Sequence, residues 1–357
     1  MLKTMQVELG GFLNQTDDYE YGDYVYTEEP VPKEVGGVLT PVVYSSVVAV
    51  GLLGNALLLA VLLNKSRHWR ISDIFVFNLG VADILLLLTL PFWAIQAAHN
   101  SVWSFGIEIC KICTAVFNIN FYCGIFLLLC ITLDRYRSIL CSLPLFSKNK
   151  PALAHASCVV VWVISMLLAL PDWMFMVTEN DGQIKTLCVH SYEKLYLRLV
   201  HLAVGFLLPA AALIFCLSHI LLRLKSNSKD LRKEKALLVI LPLVVVFFLC
   251  WMPYNISLAI DTYRIHFKEP QSKGSLKKAL KVTSVLACVH ACVRPLLYIC
   301  LCANFRELVL SKQIFSKTRP EKSLWELNVG EKTVSEQSNI KEEQKQMTTP
   351  DQIQTAC

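Results

Sequence analysis

The sequence predicts an all-α membrane protein, a bundle of seven transmembrane helices followed by a short amphipathic helix on the membrane surface. Two observations carry this expectation. Hydrophobic residues make up 54% of the 357 and charged residues 17%, a balance foreign to a soluble domain of this size. The apolar residues are also gathered into seven long blocks, at about Pro41–Leu63, Ile74–Ala98, Ile109–Leu133, Leu153–Val177, Leu199–Leu222, Leu237–Ile260 and Val282–Cys302. Each has the length of about 20 helical residues or more that a hydrocarbon core of about 30 Å requires. A barrel would need short alternating segments instead.

Composition divides the chain into three parts: an acidic, tyrosine-rich tail over 1–38, the helical bundle over 39–303, and a surface helix with a disordered polar tail over 304–357. The first block follows an acidic tail rather than a charged start with a small-residue cleavage site, so it reads as a membrane anchor and not a signal peptide. Basic residues then fall on alternate sides. Lys65, Arg67 and Arg70, then Arg135, Arg137, Lys148 and Lys150, then Arg223, Lys225, Arg232, Lys233 and Lys235 mark the cytoplasmic side, leaving the N-terminus extracellular in a multi-pass plasma-membrane protein. The segment with Arg264, Lys268, Lys273, Lys277, Lys278 and Lys281 dissents, being basic and external, but the earlier helices dominate orientation. A net charge of +6 therefore reflects cytoplasmic loops facing anionic membrane lipid, and no nucleic-acid partner is expected. After the seventh block, Phe305-Arg306-Glu307-Leu308-Val309-Leu310 has the helical apolar spacing of a surface helix.

Polar groups inside a bilayer are costly, so each asks for a partner or a role. Here they are Asn55, Asp83, Asn118, Asn120, Asp134, Arg135, Asp172, His290 and Arg294. Of fourteen cysteines most lie within apolar blocks as small hydrophobes, whereas Cys110 and Cys188 sit at outer edges where a bridge or two free thiols are possible. Asn14-Gln15-Thr16 is a glycosylation sequon on an exposed tail; Asn255-Ile256-Ser257 also matches but falls inside the sixth helix, where no glycan is expected. No nucleophile with its base, metal cluster or Gly-rich phosphate loop is apparent, so an enzyme and a cofactor are not expected.

Gly51-Leu-Leu-Gly54-Asn55, Asn78-Leu79-Gly-Val-Ala82-Asp83, Asp134-Arg135-Tyr136, Trp162, Pro209, Cys250-Trp251-Met252-Pro253 and Pro295-Leu-Leu-Tyr298 occur in order, one group on each successive helix. Together they resemble the rhodopsin-like G-protein-coupled receptors over about 265 residues. Thr89-Leu90-Pro91-Phe92-Trp93 and the acidic tyrosine tail resemble chemokine receptors within that family. Ala169-Leu170-Pro171-Asp172, Gly205-Phe206-Leu207-Leu208-Pro209, Cys250-Trp251-Met252-Pro253-Tyr254 and Lys281-Val282-Thr283-Ser284 are similar to the CXC receptors that answer interferon-inducible chemokines. Retinal is disfavoured because no lysine lies between Val282 and Cys302, and amine ligands because Phe117 stands where aminergic receptors place an Asp.

The resemblance implies roles for these residues. Tyr19, Tyr21, Tyr24 and Tyr26, set among six acids between Asp17 and Glu29, would be sulfated and attract a basic CXC chemokine, although a merely solvated acidic run is also possible. Trp93, Phe117, Asp172, Tyr254, Asp261 and Ser284 would line the ligand cleft; helix-end capping or ion pairing is the alternative for the two acids. Asp83, Asn120, Asp134, Arg135, Tyr136, Trp251, Pro253, Arg294, Pro295 and Tyr298 would form the activation switch. In it Asp134-Arg135 is a latch for a heterotrimeric G protein, or only an ion pair at a helix end, and the Pro253 kink lets the sixth helix swing. Cys110 and Cys188 would be bridged. A second outer bridge, usual in chemokine receptors, cannot form, because residues 1–40 and Arg264–Leu286 contain no Cys. Ser316, Thr318, Ser323, Thr333, Ser335, Ser338, Thr348, Thr349 and Thr355 would serve a receptor kinase and arrestin, or be solvating filler.

Two departures from the family stand out: Arg137-Ser-Ile-Leu-Cys141 after the latch, and Arg294, where relatives carry a small polar or acidic residue before the proline, near a sodium ion held at Asp83. Arg294 either pairs with Asp83, taking the place of sodium, or snorkels towards cytoplasmic water. Two functions follow from the resemblance: a receptor that binds CXC chemokine and activates a G protein of the inhibitory class to direct leukocyte chemotaxis, or an atypical scavenger that internalises chemokine with little signalling. The intact Asp134-Arg135-Tyr136 favours the first.

Overall fold

A computed structural model describes residues 35–64, 69, 71–99, 102–140, 151–181, 185–190, 195–226, 231–267 and 273–310. Expectations for Asn14, the four tail tyrosines, the loop lysines Lys65, Lys148 and Lys150, and the C-terminal serines and threonines lie outside these residues.

Helices α1 (Val35–Leu63), α2 (Ile71–Ala98), α3 (Gly106–Leu140) and α4 (Pro151–Phe175) come first. A hairpin of β1 (Met176–Asp181) and β2 (Lys185–His190) separates α4 from α5. That fifth helix is built of three contiguous pieces, Leu195–Val200, His201–Leu207 and Leu208–Ser226. Then follow α6 (Leu231–Phe267), α7 (Lys273–Leu301) and the short α8 (Ala303–Leu310). Among the described residues seven helices are long and apolar enough to cross a membrane, with spans of 24 to 32 residues, as the sequence predicts. Their outward residues are apolar: Leu53, Leu167, Met174, Leu208, Leu222, Leu249 and Val282 are exposed where hydrocarbon rather than water surrounds the bundle.

Inside, one continuous core joins α1 through α8. Phe121, Phe247 and Trp251 lie at its centre, and Phe305 of α8 docks into its cytoplasmic end beside Tyr298 and Cys302. Small residues set the close approaches. A Cβ on Gly51 would lie 2.6 Å from a Leu87 methyl of α2, and one on Gly54 would lie 2.7 Å from the Pro295 ring of α7. The Gly51–Gly54 pair thus lets α1 seat against both neighbours. Asn55, fully buried, donates from Nδ2 to the Gly51 carbonyl of its own helix at 2.8 Å and to the Ala291 carbonyl at 2.9 Å, which ties α1 to α7.

Three features were not expected. Val177, placed by composition at the end of the fourth apolar block, belongs to β1, which pairs antiparallel with β2 from Met176↔His190 to Asp181↔Lys185. His201–Leu207 is π-helical, and the Leu208 N–H reaches back five residues to Ala203. Pro209 follows directly; lacking an N–H, it cannot serve the Gly205 carbonyl, and the widened turn lies against that gap. Finally, α6 runs to Phe267 and α7 starts at Lys273, so Arg264, Lys273, Lys277, Lys278 and Lys281 sit on helix ends rather than in a loop.

Gly54→Val should lower the melting temperature of the purified protein through overpacking against a rigid proline ring, a cost of about 1–3 kcal/mol. Leu53→Val, one residue away on the exposed face, should leave it nearly unchanged.

Candidate functional site

The outer edge is organised by a disulfide. Cys110 on the first turns of α3 bonds Cys188 of β2, with Cα atoms 5.9 Å apart, so the hairpin is fastened over the bundle. Trp103 is buried beside the bridge and donates its indole N–H to the Gly106 carbonyl at 2.7 Å, where a φ of +77° turns the chain into α3. Trp93 packs on Trp103 with ring centroids 5.5 Å apart, which places it in the aromatic wall below the bridge.

Deeper in, Phe117 joins the outer and inner halves. Its ring meets Tyr254 edge-on at 5.4 Å and Trp251 at 5.0 Å. Trp251 is fully buried and touches Phe121 at 4.7 Å, Phe247 at 6.2 Å and His290 at 5.5 Å. Above it Tyr254 lies within electrostatic reach of Asp172, Arg198 and Asp261. The structure therefore brings Phe117, Tyr254, Asp172 and Asp261 together, with Trp93 on the adjoining wall. Ser284 is placed to one side: its hydroxyl donates to the Lys281 carbonyl at 2.8 Å and neighbours Tyr44 of α1.

Asp261 is in an ion pair with Arg198, which bridges α5 and α6 at the mouth of the cleft. Arg198 lies outside the fifth apolar block, which starts at Leu199, whereas the helix itself starts at Leu195. His201 was missed, although a histidine inside an apolar run is the signal by which His290 was singled out. The π-helical turn begins at His201; its Nδ1 lies 2.6 Å from the Tyr122 hydroxyl, and its ring stacks on Phe121. Tyr122, His201 and Asp172 line a cavity of about 130 Å³ closed by Leu168, Pro171 and Leu197, between α3, α4 and α5.

At mid-bundle the buried Asp83 collects three neighbours. Arg294 Nη1 donates to Asp83 Oδ2 at 2.7 Å, Asn120 Nδ2 donates to Oδ1 at 3.1 Å, and His290 Nε2 lies 3.5 Å from Oδ1. Arg294 is 4% exposed, so of the two readings open to the sequence the structure has the pair and not the snorkelled side chain. Pro295 and the buried Tyr298 continue the same face of α7.

Towards the cytoplasm Arg135 Nε lies 4.0 Å from Asp134 Oδ2, while its Nη2 donates to Ser72 of α2 at 2.7 Å. Tyr136 packs on Phe215 and His219 of α5. Trp162 of α4 donates to Asn78 of α2 at 2.9 Å. The Asp134-Arg135-Tyr136 group thus touches the ends of two other helices, where a change in packing can be felt by all three.

The arrangement is an outer cleft with acidic groups, an aromatic column, an ionic centre and the Asp134–Arg135 pair towards the cytoplasm, in one continuous bundle. The pattern of the 7 transmembrane receptor (rhodopsin family) matches residues 54–298. The C-X-C chemokine receptor type 3 of Bos taurus is 36% identical over 311 residues, covering 83% of this chain and 84% of that receptor. Those of Capra hircus and Homo sapiens are each 36% identical, over 311 and 309 residues, covering 83% and 82% of this chain and 84% and 83% of the receptor. The chain therefore belongs to the rhodopsin family of seven-transmembrane receptors, in its chemokine-receptor group, and is a multi-pass plasma-membrane protein and not an enzyme.

Proposed function

We propose that this receptor binds a CXC chemokine at its outer face and activates a heterotrimeric G protein of the inhibitory class inside the cell, directing leukocyte chemotaxis. The observation that carries the reading is the contact of Phe117 with Trp251, because it joins the floor of the outer cleft to the tryptophan two residues before Pro253. Pro253 lies within α6 and removes one backbone hydrogen bond, so the helix is weakest to bending beside the residue that Phe117 touches. A ligand group that displaces Phe117 or Tyr254 would press on Trp251 and shift the cytoplasmic end of α6 relative to Arg135.

Capture occurs in two stages. The acidic tail, with Tyr19, Tyr21, Tyr24 and Tyr26 sulfated and Asn14 glycosylated, steers a basic chemokine to the surface, and its N-terminus then enters among Trp93, Phe117, Asp172, Tyr254, Asp261 and Ser284. The Arg198–Asp261 pair supports a competitive entry: a ligand ammonium can take over the Asp261 carboxylate, releasing Arg198 and loosening α5 from α6. Phosphorylation of the C-terminal serines and threonines by a receptor kinase then recruits arrestin.

A panel of CXC chemokines, read for both G-protein activation and ligand uptake, tests the reading: at least one should activate, whereas uptake without activation by any would overturn it. Replacing the four tail tyrosines by Phe should weaken binding of the responding chemokine on the order of tenfold at low salt and less at high salt, as measured by ligand displacement. Asp172→Asn and Asp261→Asn should each lower signalling potency on the order of tenfold at unchanged surface expression, because each removes a charge available to the ligand amine. Truncation after Lys317 should slow ligand-driven internalisation in a surface-loss assay.

A further inference from the structure

The ionic centre carries an inference that does not depend on which ligand the receptor takes. Asp83 has no exposed surface, and a carboxylate held in the middle of a membrane bundle needs a positive charge beside it. Its two oxygens are both used. Oδ2 accepts from Arg294 Nη1 at 2.7 Å and Oδ1 accepts from Asn120 Nδ2 at 3.1 Å. The third neighbour is His290. Its Nδ1 donates to the Ala287 carbonyl, which can only accept, and its Nε2 lies 3.5 Å from Asp83 Oδ1. Arg294 is the permanent positive charge that answers Asp83.

Asp83 Oδ1 and Oδ2 are Lewis bases of the sort that hold a small hard cation when nothing else fills the space, and the Asn120 amide and the His290 ring lie against them. Arg294 fills it instead. Its guanidinium cannot be deprotonated at any pH the protein survives, and it is tethered to α7. The next residue, Pro295, packs closely against Gly54 of α1. A dissolved ion competing for Asp83 would have to displace a bidentate-capable donor already at hydrogen-bonding distance and leave an unpaired guanidinium in the bundle interior.

We propose that Arg294 is a built-in counter-ion occupying a latent monovalent-cation site formed by Asp83, Asn120 and His290, so that the centre of this receptor is indifferent to dissolved sodium. The link between α2, α3 and α7 is then set by covalently attached groups alone, and ion concentration outside the cell does not tune it. Removing the guanidinium opens the site to a small cation.

Purified receptor in lipid nanodiscs, without ligand, is melted in sodium chloride and in N-methyl-D-glucamine chloride at equal ionic strength. The wild-type midpoint should be the same in both salts, whereas Arg294→Asn should melt higher in sodium by about 2 °C or more. Asp83→Asn combined with Arg294→Asn should lose that sodium response. A sodium-dependent rise in the wild type, or none in a folded Arg294→Asn, overturns the proposal. If Arg294→Asn does not fold, the comparison of Asp83→Asn with the double variant decides: the double should melt closer to wild type than Asp83→Asn alone, and an equal or larger loss in the double overturns it. Because no chemokine enters the measurement, its outcome is separate from that of the ligand assays.

Discussion

At mid-bilayer there is no water to receive a charge, and in this molecule that constraint converges on Asp83. Three helices meet at its carboxylate through Arg294, Asn120 and His290. A fourth is attached one turn away, where Asn55 of α1 donates to the Ala291 carbonyl of α7. Removing one member of a buried pair of this kind costs about 3–5 kcal/mol, because the survivor keeps its charge and loses its partner. The helices around Asp83 are therefore registered against one another by an electrostatic requirement, and the close-packed apolar core fits around them. Gly51 and Gly54 complete this arrangement by letting α1 come close enough for Asn55 to reach.

Above that centre stands a column of aromatic rings, and below it, beside apolar core, lies the Asp134–Arg135 pair. Phe117, Trp251, Phe121 and Phe247 form a packed column whose ring contacts of 4.7 to 6.2 Å leave little slack, so a push at one end is passed on as a shift of packing. His290 touches both the column and Asp83, with its ring 5.5 Å from Trp251 and its Nε2 3.5 Å from the carboxylate. It is the physical junction between the ligand side of the bundle and the ionic centre. The Asp134–Arg135 pair is held more loosely. Arg135 stands 4.0 Å from Asp134 and spends its better hydrogen bond on Ser72, a neutral hydroxyl on another helix that it can leave without stranding a charge.

Among the described residues, the Cys110–Cys188 disulfide binds the hairpin to α3 and the Arg198–Asp261 ion pair links α5 to α6 at the outer face. Both sit where a large protein ligand would approach. The cavity beside His201, at the π-helical turn, adds a place where the cleft can deepen between α3, α4 and α5. The wide turn swings His201 inward onto Phe121, connecting that side of the cleft to the same aromatic column.

Much of this was legible in one sequence, for reasons that can be traced to particular residues. Seven apolar blocks of spanning length force seven helices, since in lipid each backbone group must be satisfied within its own segment, and the block boundaries lie close to those of the spans except at the sixth, which runs past Ile260 to Phe267. The pairing of Arg294 with Asp83 was one of two outcomes open to the sequence, because a buried guanidinium has few companions that can neutralise it. The hairpin, the π-helical turn and the Arg198–Asp261 pair were not legible. The two strands, Met176–Asp181 and Lys185–His190, lie outside the membrane-spanning segments, where water satisfies any backbone conformation and composition no longer dictates one. The π turn depends on Pro209 acting together with the packing of Gly205 on Tyr122. What the sequence determined by itself was the number, type and order of the elements, through the one-dimensional pattern of what hydrocarbon will accept. Which polar groups meet, from Arg198 with Asp261 to His290 with Asp83, was decided only by tertiary structure, because helix rotation and tilt are set by contacts between residues far apart in the chain.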